Sequence, residues 1–238
     1  MNIVAIIPAR GGSKGIKDKN IVDVNGLPLI AYTILVAKQV KEINAIYVST
    51  DSKEIANISL KYGAEVIERP KKLASDTSTD LECMQHALKV LKTQKPLVLD
   101  YILHLRATTP IRESSVLRKC LKQSLFLKKP LVKAHSLRSV EEIAESPYKY
   151  FKLDKTTGFC TPYMGNSIAD TNRARQSHET AYKANGYIDI LRPDVIESGS
   201  IHGELIVPFV TEPVIEIDTE RELEYLRDYL KLHPMRFK

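Results

Sequence analysis

The sequence contains little cysteine: three residues in 238, Cys83, Cys120 and Cys160, which stand far apart. No C-x-x-C pair occurs among them, so the thiols indicate neither a structural zinc site nor a redox motif. An odd and sparse set also argues against a disulfide framework. This usage fits a reducing compartment, and we expect a cytoplasmic protein.

Long apolar segments are also missing. No stretch approaches the roughly 20 residues that a membrane-spanning helix needs. The chain enters a predicted strand directly after Met1-Asn2, without a charged region and a cleavage site. We therefore expect neither a membrane partner nor a secretion signal.

The excess of positive charge is moderate, a formal +6, and the basic residues are scattered along the chain. Tyrosine and phenylalanine do not alternate with them as they do on a base-stacking surface. Nucleic acid is therefore not expected as a partner, whereas a polyanionic small substrate suits this charge.

The start of the chain carries the most informative pattern. The apolar run from Ile3 to Ile7 has the length and β-branched content of a buried strand. It breaks at Pro8 into residues 9–20, Ala-Arg-Gly-Gly-Ser-Lys-Gly-Ile-Lys-Asp-Lys-Asn. An isolated lysine would indicate only a solvated turn, but a basic loop this rich in glycine brings N–H groups and cations to a phosphate chain.

Two common phosphate motifs do not match this loop. The P-loop pattern G-x-x-x-x-G-K-[ST], started at Gly11, requires a glycine where Ile16 stands. The dinucleotide pattern G-x-G-x-x-G, started at the same residue, meets Ser13 and Ile16. The loop must therefore use another arrangement.

Strands and helices alternate along the rest of the chain. Apolar runs predict strands at 46–48, 66–67, 101–105, 131–134, 186–191, 205–209 and 214–217. Between or after them lie helical stripes, one starting at Asp51-Glu54 and the last at a Thr219–Glu222 capping box. The alternation predicts one α/β domain over 1–238 with a largely parallel sheet. From about 139 to 182 the pattern breaks down, which indicates an inserted arm.

Ligands of an open α/β sheet bind beyond the carboxyl ends of its strands. There the sequence places the loop from Arg10 to Lys19, the segments 49–51, 69–76 and 106–112, and Asp218. This set holds cations, hydroxyl groups and a carboxylate. It is suited to a nucleoside triphosphate with Mg²⁺, because this metal is held by one or two carboxylates together with phosphate oxygens.

The same segments resemble motifs of the acylneuraminate (CMP-sialic acid synthetase-like) cytidylyltransferase family. The similar stretches are Ala9-Arg10, Ser13-Lys14-Gly15, Lys19-Asn20, Arg69-Pro70, Leu73 to Thr77, Arg106 to Arg112, Arg175-Gln176, Asn185-Gly186 and Glu216 to Thr219. Each is short, but together they cover most of the chain in the family's order. The resemblance implies a Rossmann-like nucleotide-diphospho-sugar transferase fold, with three αβα layers, a mostly parallel mixed sheet and a small inserted dimerisation arm.

The resemblance also implies the roles of individual residues. Arg10 and Lys19 would be catalytic, stabilising the triphosphate and the leaving pyrophosphate. The nucleotide would be bound by Ala9, Gly11, Gly12, Ser13, Asn20, Arg69, Ser75 and Asp76. The sugar would be bound by Arg106, Thr108, Lys149, Arg175 and Asn185. Mg²⁺ would be held by Asp218, with Glu216 as a second ligand.

Three residues depart from the family pattern. Arg106 replaces a usual glutamine, Glu216 a usual metal-binding aspartate, and Asp189 a common tyrosine. These differences leave the identity of the sugar open. Structural explanations also stay open: Arg106 could serve an ion pair, Asp218 could assist a helix N-terminus, and Lys149 and Arg175 could be solvated.

The activity implied by the resemblance is transfer of CMP from CTP to a sialic-acid-like 2-keto-3-deoxy-nonulosonic acid, with release of pyrophosphate. A homodimer is also implied, in which the arm crosses to the partner. Two alternatives keep the fold, a Kdo-like cytidylyltransferase and a sugar-1-phosphate nucleotidyltransferase. A third is a non-catalytic nucleotide-binding module.

Overall fold

The computed structural model describes residues 1–94, 98–124, 134–165 and 167–237, without the side chains of Gln94, Ser124 and Arg175. The strands are β1 (Ile3–Pro8), β2 (Asp23–Val24), β3 (Leu27–Pro28), β4 (Ala45–Thr50), β5 (Glu65–Glu68), β6 (Tyr101–His104), β7 (Ser136–Glu142), β8 (Phe151–Leu153), β9 (Cys160–Pro162), β10 (Tyr182–Leu191) and β11 (Ile206–Val210). The α-helices are α1 (Leu29–Lys38), α2 (Lys53–Lys61), α3 (Asp80–Gln94), α4 (Ser114–Ser124), α5 (Ile168–Thr171), α6 (Pro193–Glu197) and α7 (Glu220–Leu232).

The central sheet has seven strands in the order β11-β7-β10-β6-β1-β4-β5. Strand β1 pairs in parallel with β4 and with β6, and β4 pairs in parallel with β5. Strand β10 runs antiparallel to its neighbours β6 and β7, while β11 is parallel to β7. The prediction of a mostly parallel mixed sheet is therefore confirmed.

Helices cover both faces of this sheet. On one face, Ile30 and Ile34 of α1 and Leu117 of α4 pack with the strands. On the other face, Met84 and Leu88 of α3 do the same. Strand β1 has apolar residues pointing both ways because each face is buried. The three-layer αβα arrangement is confirmed.

A third apolar cluster joins α7 to the β2–β3 hairpin and the start of α1. Leu223 and Leu226 of α7 are buried there against Val24. Thr219 and Glu222 form the predicted capping box, each side chain accepting the other residue's backbone N–H. The cap therefore fixes where α7 begins, two residues after Asp218.

Two local predictions were wrong. Residues 214–217 form no strand: the backbone N–H of Val214 donates to Glu141 and that of Ile217 to Thr108, so neither joins a ladder. Helix α2 is capped by Ser52, one residue later than predicted. The strand predicted at 131–134 lies, apart from Ala134, outside the described residues.

The segment from 139 to 182 begins inside β7 and ends at the first residue of β10. Between these strands lie the β8–β9 hairpin and the short helix α5. In the described part of the chain, no helix is both long and apolar enough to cross a membrane.

Candidate functional site

A polar cavity of about 390 Å³ lies beyond the carboxyl ends of β1 and β6. Loops after parallel strands converge at one edge of a sheet, which explains why distant segments meet here. Its wall is formed by Pro8, Arg10, Ser13, Lys14, Gly15, Lys19, Asn20, Arg69, Ser75, Ser78, Thr79, Asp80, Cys83, His104, Arg106, Ala107, Thr108 and Asp218.

Many of the predicted site residues meet in this cavity. They are Arg10, Ser13, Lys19, Asn20, Arg69, Ser75, Arg106, Thr108 and Asp218. Lys14, Asp80, Cys83 and His104 also line it and were not predicted as site residues. Lys14 stands within a predicted motif, whereas the other three come from α3 and β6, whose orientation no local pattern shows.

The glycine loop has a defined shape. Gly12 has φ +66°, a conformation that favours glycine. The backbone N–H of Gly11 donates to Asp51 Oδ1 at 2.9 Å, so this group is already used within the protein. A Cβ atom at Gly15 would lie 2.5 Å from the backbone oxygen of Asp218, so the loop closes tightly on that segment.

Two cations of the loop share the carboxylate of Asp76. Arg10 Nη1 lies 2.8 Å from Asp76 Oδ1, and Lys14 Nζ lies 2.5 Å from Oδ2. Hydrogen bonds from Lys14 and then Arg10 lower the pKa of Asp76. Asn20 donates to the backbone oxygen of Arg10 at 3.0 Å and so holds the chain behind this cation.

Lys19 occupies the other end of the loop. Its Nζ donates to Asp218 Oδ1 at 2.8 Å and to the backbone oxygen of Ile217 at 2.9 Å. The lysine side chain is only 15% exposed, whereas that of Asp218 is 64% exposed. Lys19 thus presents a fixed charge, and Asp218 keeps a solvent-facing carboxylate at the cavity wall.

Arg69 is buried at the end formed by β4, β5 and α3. Its Nη2 donates to the backbone oxygen of Ser49 at 3.1 Å, and Nη1 lies 3.4 Å from Cys83 Sγ. Among the described residues its Nε has no hydrogen-bond partner. Ser75 lies nearby in the cavity wall, where its hydroxyl is 2.9 Å from that of Ser78.

Arg106 is held at the end of the cavity beside α3 and β10. Its Nη2 lies 2.8 Å from Asp80 Oδ2. Gly186 has φ +66°, and a Cβ atom there would lie 2.8 Å from Arg106 Cδ. The guanidinium is therefore fixed between a carboxylate and a glycine whose missing side chain makes room for it.

Arg112 holds the backbone around Arg106 in place. Its buried guanidinium donates to the backbone oxygens of Tyr187 at 2.7 Å and of Arg106 and Gly186 at 2.9 Å, and also to that of Thr109. Burial lowers the pKa of Arg112 to about 9. Arg112 is thus a structural residue that ties the segment after β6 to β10.

A row of polar side chains crosses the sheet beneath the cavity, with His104 and Asp189 buried and Arg138 half-buried. Asp189 is paired in register with His104 on β6 and with Arg138 on β7. Its Oδ2 lies 3.5 Å from His104 Nδ1, and its Oδ1 lies 3.4 Å from Arg138 Nε. Burial raises the pKa of Asp189, but His104 and Arg138 outweigh this and lower it overall.

Other predicted residues lie away from the cavity wall. Lys149 is exposed in the turn Pro147–Lys149, and Arg175 begins the turn Arg175–Ser177. Asn185 is buried and donates to Glu141 Oε2 at 3.1 Å and to Thr211 Oγ1 at 2.7 Å.

Glu216 does not line the cavity either, but it is electrostatically coupled to Asp218. Loss of water around the Glu216 carboxyl, and then the charge of Asp218, raise its pKa. The described residues contain no group of three or more His, Cys, Asp or Glu arranged to hold a metal.

Comparison with known proteins identifies relatives over most of the chain. A family model described as cytidylyltransferase matches residues 4–199. A pseudaminic acid cytidylyltransferase from Campylobacter jejuni is 33% identical, with 98% of each chain covered. A CMP-N,N'-diacetyllegionaminic acid synthase from Legionella pneumophila is 32% identical, with 92% of each chain covered.

A solved structure of a CMP:2-keto-3-deoxy-manno-octonic acid synthetase complexed with CTP has a TM-score of 0.70 to this chain. The match covers 98% of this chain and 100% of that one. At 17% identity the likeness shows the fold alone. The Rossmann-like nucleotidyltransferase fold is therefore confirmed.

Proposed function

Because this chain belongs to the cytidylyltransferase family, and is therefore a nucleotidyltransferase, we propose that it transfers CMP from CTP to a sialic-acid-like 2-keto-3-deoxy-nonulosonic acid. The relatives that act on pseudaminic and legionaminic acids support this acceptor class. The observation that carries the proposal is one cavity lined by Arg10, Lys14 and Lys19 and also by Arg106. It offers cations to a triphosphate and a separate guanidinium to an acidic sugar.

In the proposed reaction, the oxygen of the acceptor's anomeric hydroxyl attacks the α-phosphorus of CTP. The bond from this phosphorus to the oxygen that bridges to the β-phosphate breaks, and pyrophosphate leaves. The hydroxyl proton passes to water. Such a transfer depends on positioning and charge stabilisation, so no covalent intermediate with a side chain is needed.

Arg10 and Lys19 would bind the phosphates, with Lys14 as a third cation on the same loop. Asp76 and Asp218 pair with these three cations in the resting protein and offset two of their positive charges. The incoming phosphates must therefore displace the two carboxylates or share the cations with them. The free N–H groups for phosphate would come from Gly12 and Ser13, because Gly11 donates to Asp51.

Asp218 would hold Mg²⁺, with Glu216 as a second carboxylate nearby. The fit rests on the solvent-facing carboxylate of Asp218 beside the phosphate-binding cations. When bound, the ion would neutralise phosphate charge. Lys19 would keep the Asp218 side chain oriented, because its ammonium group donates both to Asp218 Oδ1 and to the neighbouring backbone oxygen of Ile217.

The cytidine would lie at the end of the cavity formed by Arg69 and Ser75. Arg69 has an unpaired, buried Nε, considering the described residues alone, and the rest of its guanidinium is held by Ser49 and Cys83. A buried donor without a partner is costly unless a ligand satisfies it.

The acceptor's carboxylate would bind Arg106, with Thr108 beside it in the wall. A guanidinium is suited to this task because its N–H groups match the two oxygens of a carboxylate. The arginine in place of the family's usual glutamine therefore supports an acidic acceptor.

We also propose a homodimer in which the arm completes the partner's site, contributing Lys149 and Arg175, whereas Asn185 is buried on β10 outside the arm. Large apolar side chains stand exposed on the arm, including Phe159 at 74% and Leu153 at 60%, and such patches mark interaction surfaces. Mixing an inactive Arg10→Ala protein with an inactive Lys149→Ala protein tests whether two subunits share one active site. Recovered activity supports a shared site, and an active monomer overturns it.

A cytoplasmic location completes the proposal. Cys83, Cys120 and Cys160 are all free thiols in the structure, which is compatible with a reducing compartment. CTP would be available there.

Pyrophosphate release tests the function directly. CTP, UTP, ATP and GTP are each supplied with Mg²⁺ and with sialic, pseudaminic or legionaminic acid, a Kdo acid, or a sugar 1-phosphate. We expect release with CTP and a nine-carbon acid. A preference for the Kdo acid or the sugar 1-phosphate would favour the corresponding alternative, which the relatives do not favour. CTP binding without any turnover would favour the non-catalytic module.

Removal of the loop cations tests the phosphate site. Arg10→Ala and Lys19→Ala should each lower kcat by roughly 100-fold or more while the protein stays folded, as expected when a preorganised charge is lost. Lys17→Ala is the matched control, since Lys17 is exposed on the same loop but is absent from the cavity wall. Near-normal rates in the first two variants would contradict the site.

A further inference from the structure

The clamp around Arg106 is a feature that the proposed function does not yet explain. Asp80 is the first residue of α3, and its Oδ2 lies 2.8 Å from Arg106 Nη2. Gly186 of β10 closes the other side, where any Cβ atom would overlap Arg106 Cδ. Two elements of the fold, α3 and β10, therefore determine the direction of one side chain in the cavity wall.

The polar row beneath the cavity lies beside this clamp. Arg138, Asp189 and His104 lie side by side across three strands, with separations of 3.4 Å and 3.5 Å. His104 lines the cavity together with Asp80 and Arg106. Burial raises the pKa of Asp80, but the charges of His104 and Arg106 outweigh this, so it is lowered overall and the carboxylate stays ionised.

The pairing leaves part of the guanidinium free. The contact with Asp80 is at Nη2, and a guanidinium has two donor edges, so the edge that Asp80 does not occupy can donate to a second carboxylate. A free arginine side chain loses rotamer freedom when a ligand immobilises it. An arginine already held in place avoids most of this loss, which is the general benefit of a preorganised site.

We propose that Asp80 is a positioning residue for the acceptor: it holds the Arg106 guanidinium in the direction in which the sugar acid's carboxylate binds. This inference rests on the proposed function, because it assigns the acceptor's carboxylate to Arg106. Asp80 contacts Arg106 and acts through it. The nucleotide is bound at the other residues of the cavity and does not depend on this ion pair.

Kinetics of a double-mutant cycle test the role. Asp80→Asn should raise the KM for the acceptor about tenfold, equivalent to ~1.4 kcal/mol, with the KM for CTP changed less than about twofold. Asp80→Glu should restore part of the loss. In the Arg106→Ala background, Asp80→Asn should have no further effect, because a positioning residue has nothing left to position. The proposal would be overturned if the effects of Asp80→Asn and Arg106→Ala on the acceptor KM multiplied in the double variant. It would also be overturned if Asp80→Asn raised the KM for CTP as much as the KM for the acceptor.

A matched control separates this effect from the loss of any aspartate–arginine pair. Asp194 forms such a pair with Arg192 at 2.5 Å, and neither residue lines the cavity. Asp194→Asn should leave both KM values unchanged. An acceptor KM raised as far as in Asp80→Asn would contradict a specific role for Asp80.

NMR of the resting enzyme gives a readout without turnover. Rotation of the Arg106 guanidinium about its Nε–Cζ bond should be slow in the wild type and faster in Asp80→Asn. Equal rates in the two proteins would overturn the clamp. If the wild type transfers CMP to no sugar acid, the proposed function fails, and the NMR comparison still decides whether Asp80 holds Arg106.

Discussion

At the scale of single residues, the site depends on side chains that never face the cavity. Arg112 illustrates this: its guanidinium binds the backbone oxygens of Arg106, Thr109, Gly186 and Tyr187. The chain after β6 and the bend in β10 are thereby held against each other. Residues such as Arg106 can be placed accurately only because this connection is made underneath them.

Loss of the Arg112 guanidinium should destabilise the protein strongly. Arg112→Met would leave several buried carbonyl groups without donors, each costing about 1–3 kcal/mol. We therefore expect the free energy of unfolding to fall by about 3 kcal/mol or more, measured by urea denaturation. Arg118→Met is the control, because Arg118 is only partly buried and donates to Gln39. A similar small change in both variants would contradict this role.

Gly186 should matter through Arg106. Gly186→Ala places a methyl group 2.8 Å from Arg106 Cδ, and it also strains a backbone with φ +66°, at a cost of about 1–2 kcal/mol. We expect the acceptor KM to rise while the CTP KM stays close to normal. Gly199→Ala shares the strain, with φ +92°, but meets nothing within 4 Å. Its acceptor KM should be unchanged, and a rise in both variants would show that strain alone is responsible.

At the scale of elements, much of the site could be predicted from local patterns, and the exceptions share a cause. The basic loop and the segment after β6 were recognised because their residues are neighbours in sequence. Asp80 looks like an ordinary acidic residue in the first turn of α3, and only the packing of that helix brings it to Arg106. The run 214–217 looked like a strand because it is apolar, but its backbone donors go to Glu141 and Thr108.

Glu141 of β7 joins three pieces of chain and should make stability depend on acid. Its carboxylate accepts from Asn185 and Val214 and pairs with Lys183. Burial raises the pKa of Glu141, but these partners outweigh it and lower it below 4.5. The resulting stabilisation is present above pH 4.5 and is lost as the pH falls through the lowered pKa.

Glu141→Gln should therefore cost about 1–2 kcal/mol at pH 7, and this difference from the wild type should shrink below pH 4.5. Urea denaturation at several pH values measures it. Glu142→Gln is the control, because Glu142 is the exposed neighbour on the same strand, and it should have little effect. A Glu141→Gln deficit that stayed constant down to pH 3 would contradict the linkage.

At the scale of the whole molecule, the sheet carries the site at one edge and the arm as an excursion between β7 and β10. The strand–helix alternation predicted the layers, because central strands such as β1 and β6 are buried on both faces and have apolar sequences. The limits of the arm were harder to predict. Strand β7 has the sequence Ser-Leu-Arg-Ser-Val-Glu-Glu. Because most of these residues are polar, the sequence does not predict a strand of the central sheet here.

The exposed apolar surface of the arm should control assembly. Phe159→Ser removes the most exposed aromatic side chain of this surface, so we expect a shift from dimer to monomer in analytical ultracentrifugation. Leu60→Ser is the control, since Leu60 is 56% exposed on α2, away from the arm. A wild type that is monomeric at all concentrations, or a variant that stays dimeric, would contradict the arm's role.

The carboxylates of Asp76 and Asp218 have a consequence for how the enzyme meets its nucleotide. Since Arg10, Lys14 and Lys19 are already paired with carboxylates, binding of the nucleotide exchanges one set of anions for another. The carboxylates offset part of the repulsion among the three cations, which helps the loop to stay ordered between turnovers. When pyrophosphate leaves, the carboxylates of Asp76 and Asp218 can pair with the loop cations again, which favours release of the product.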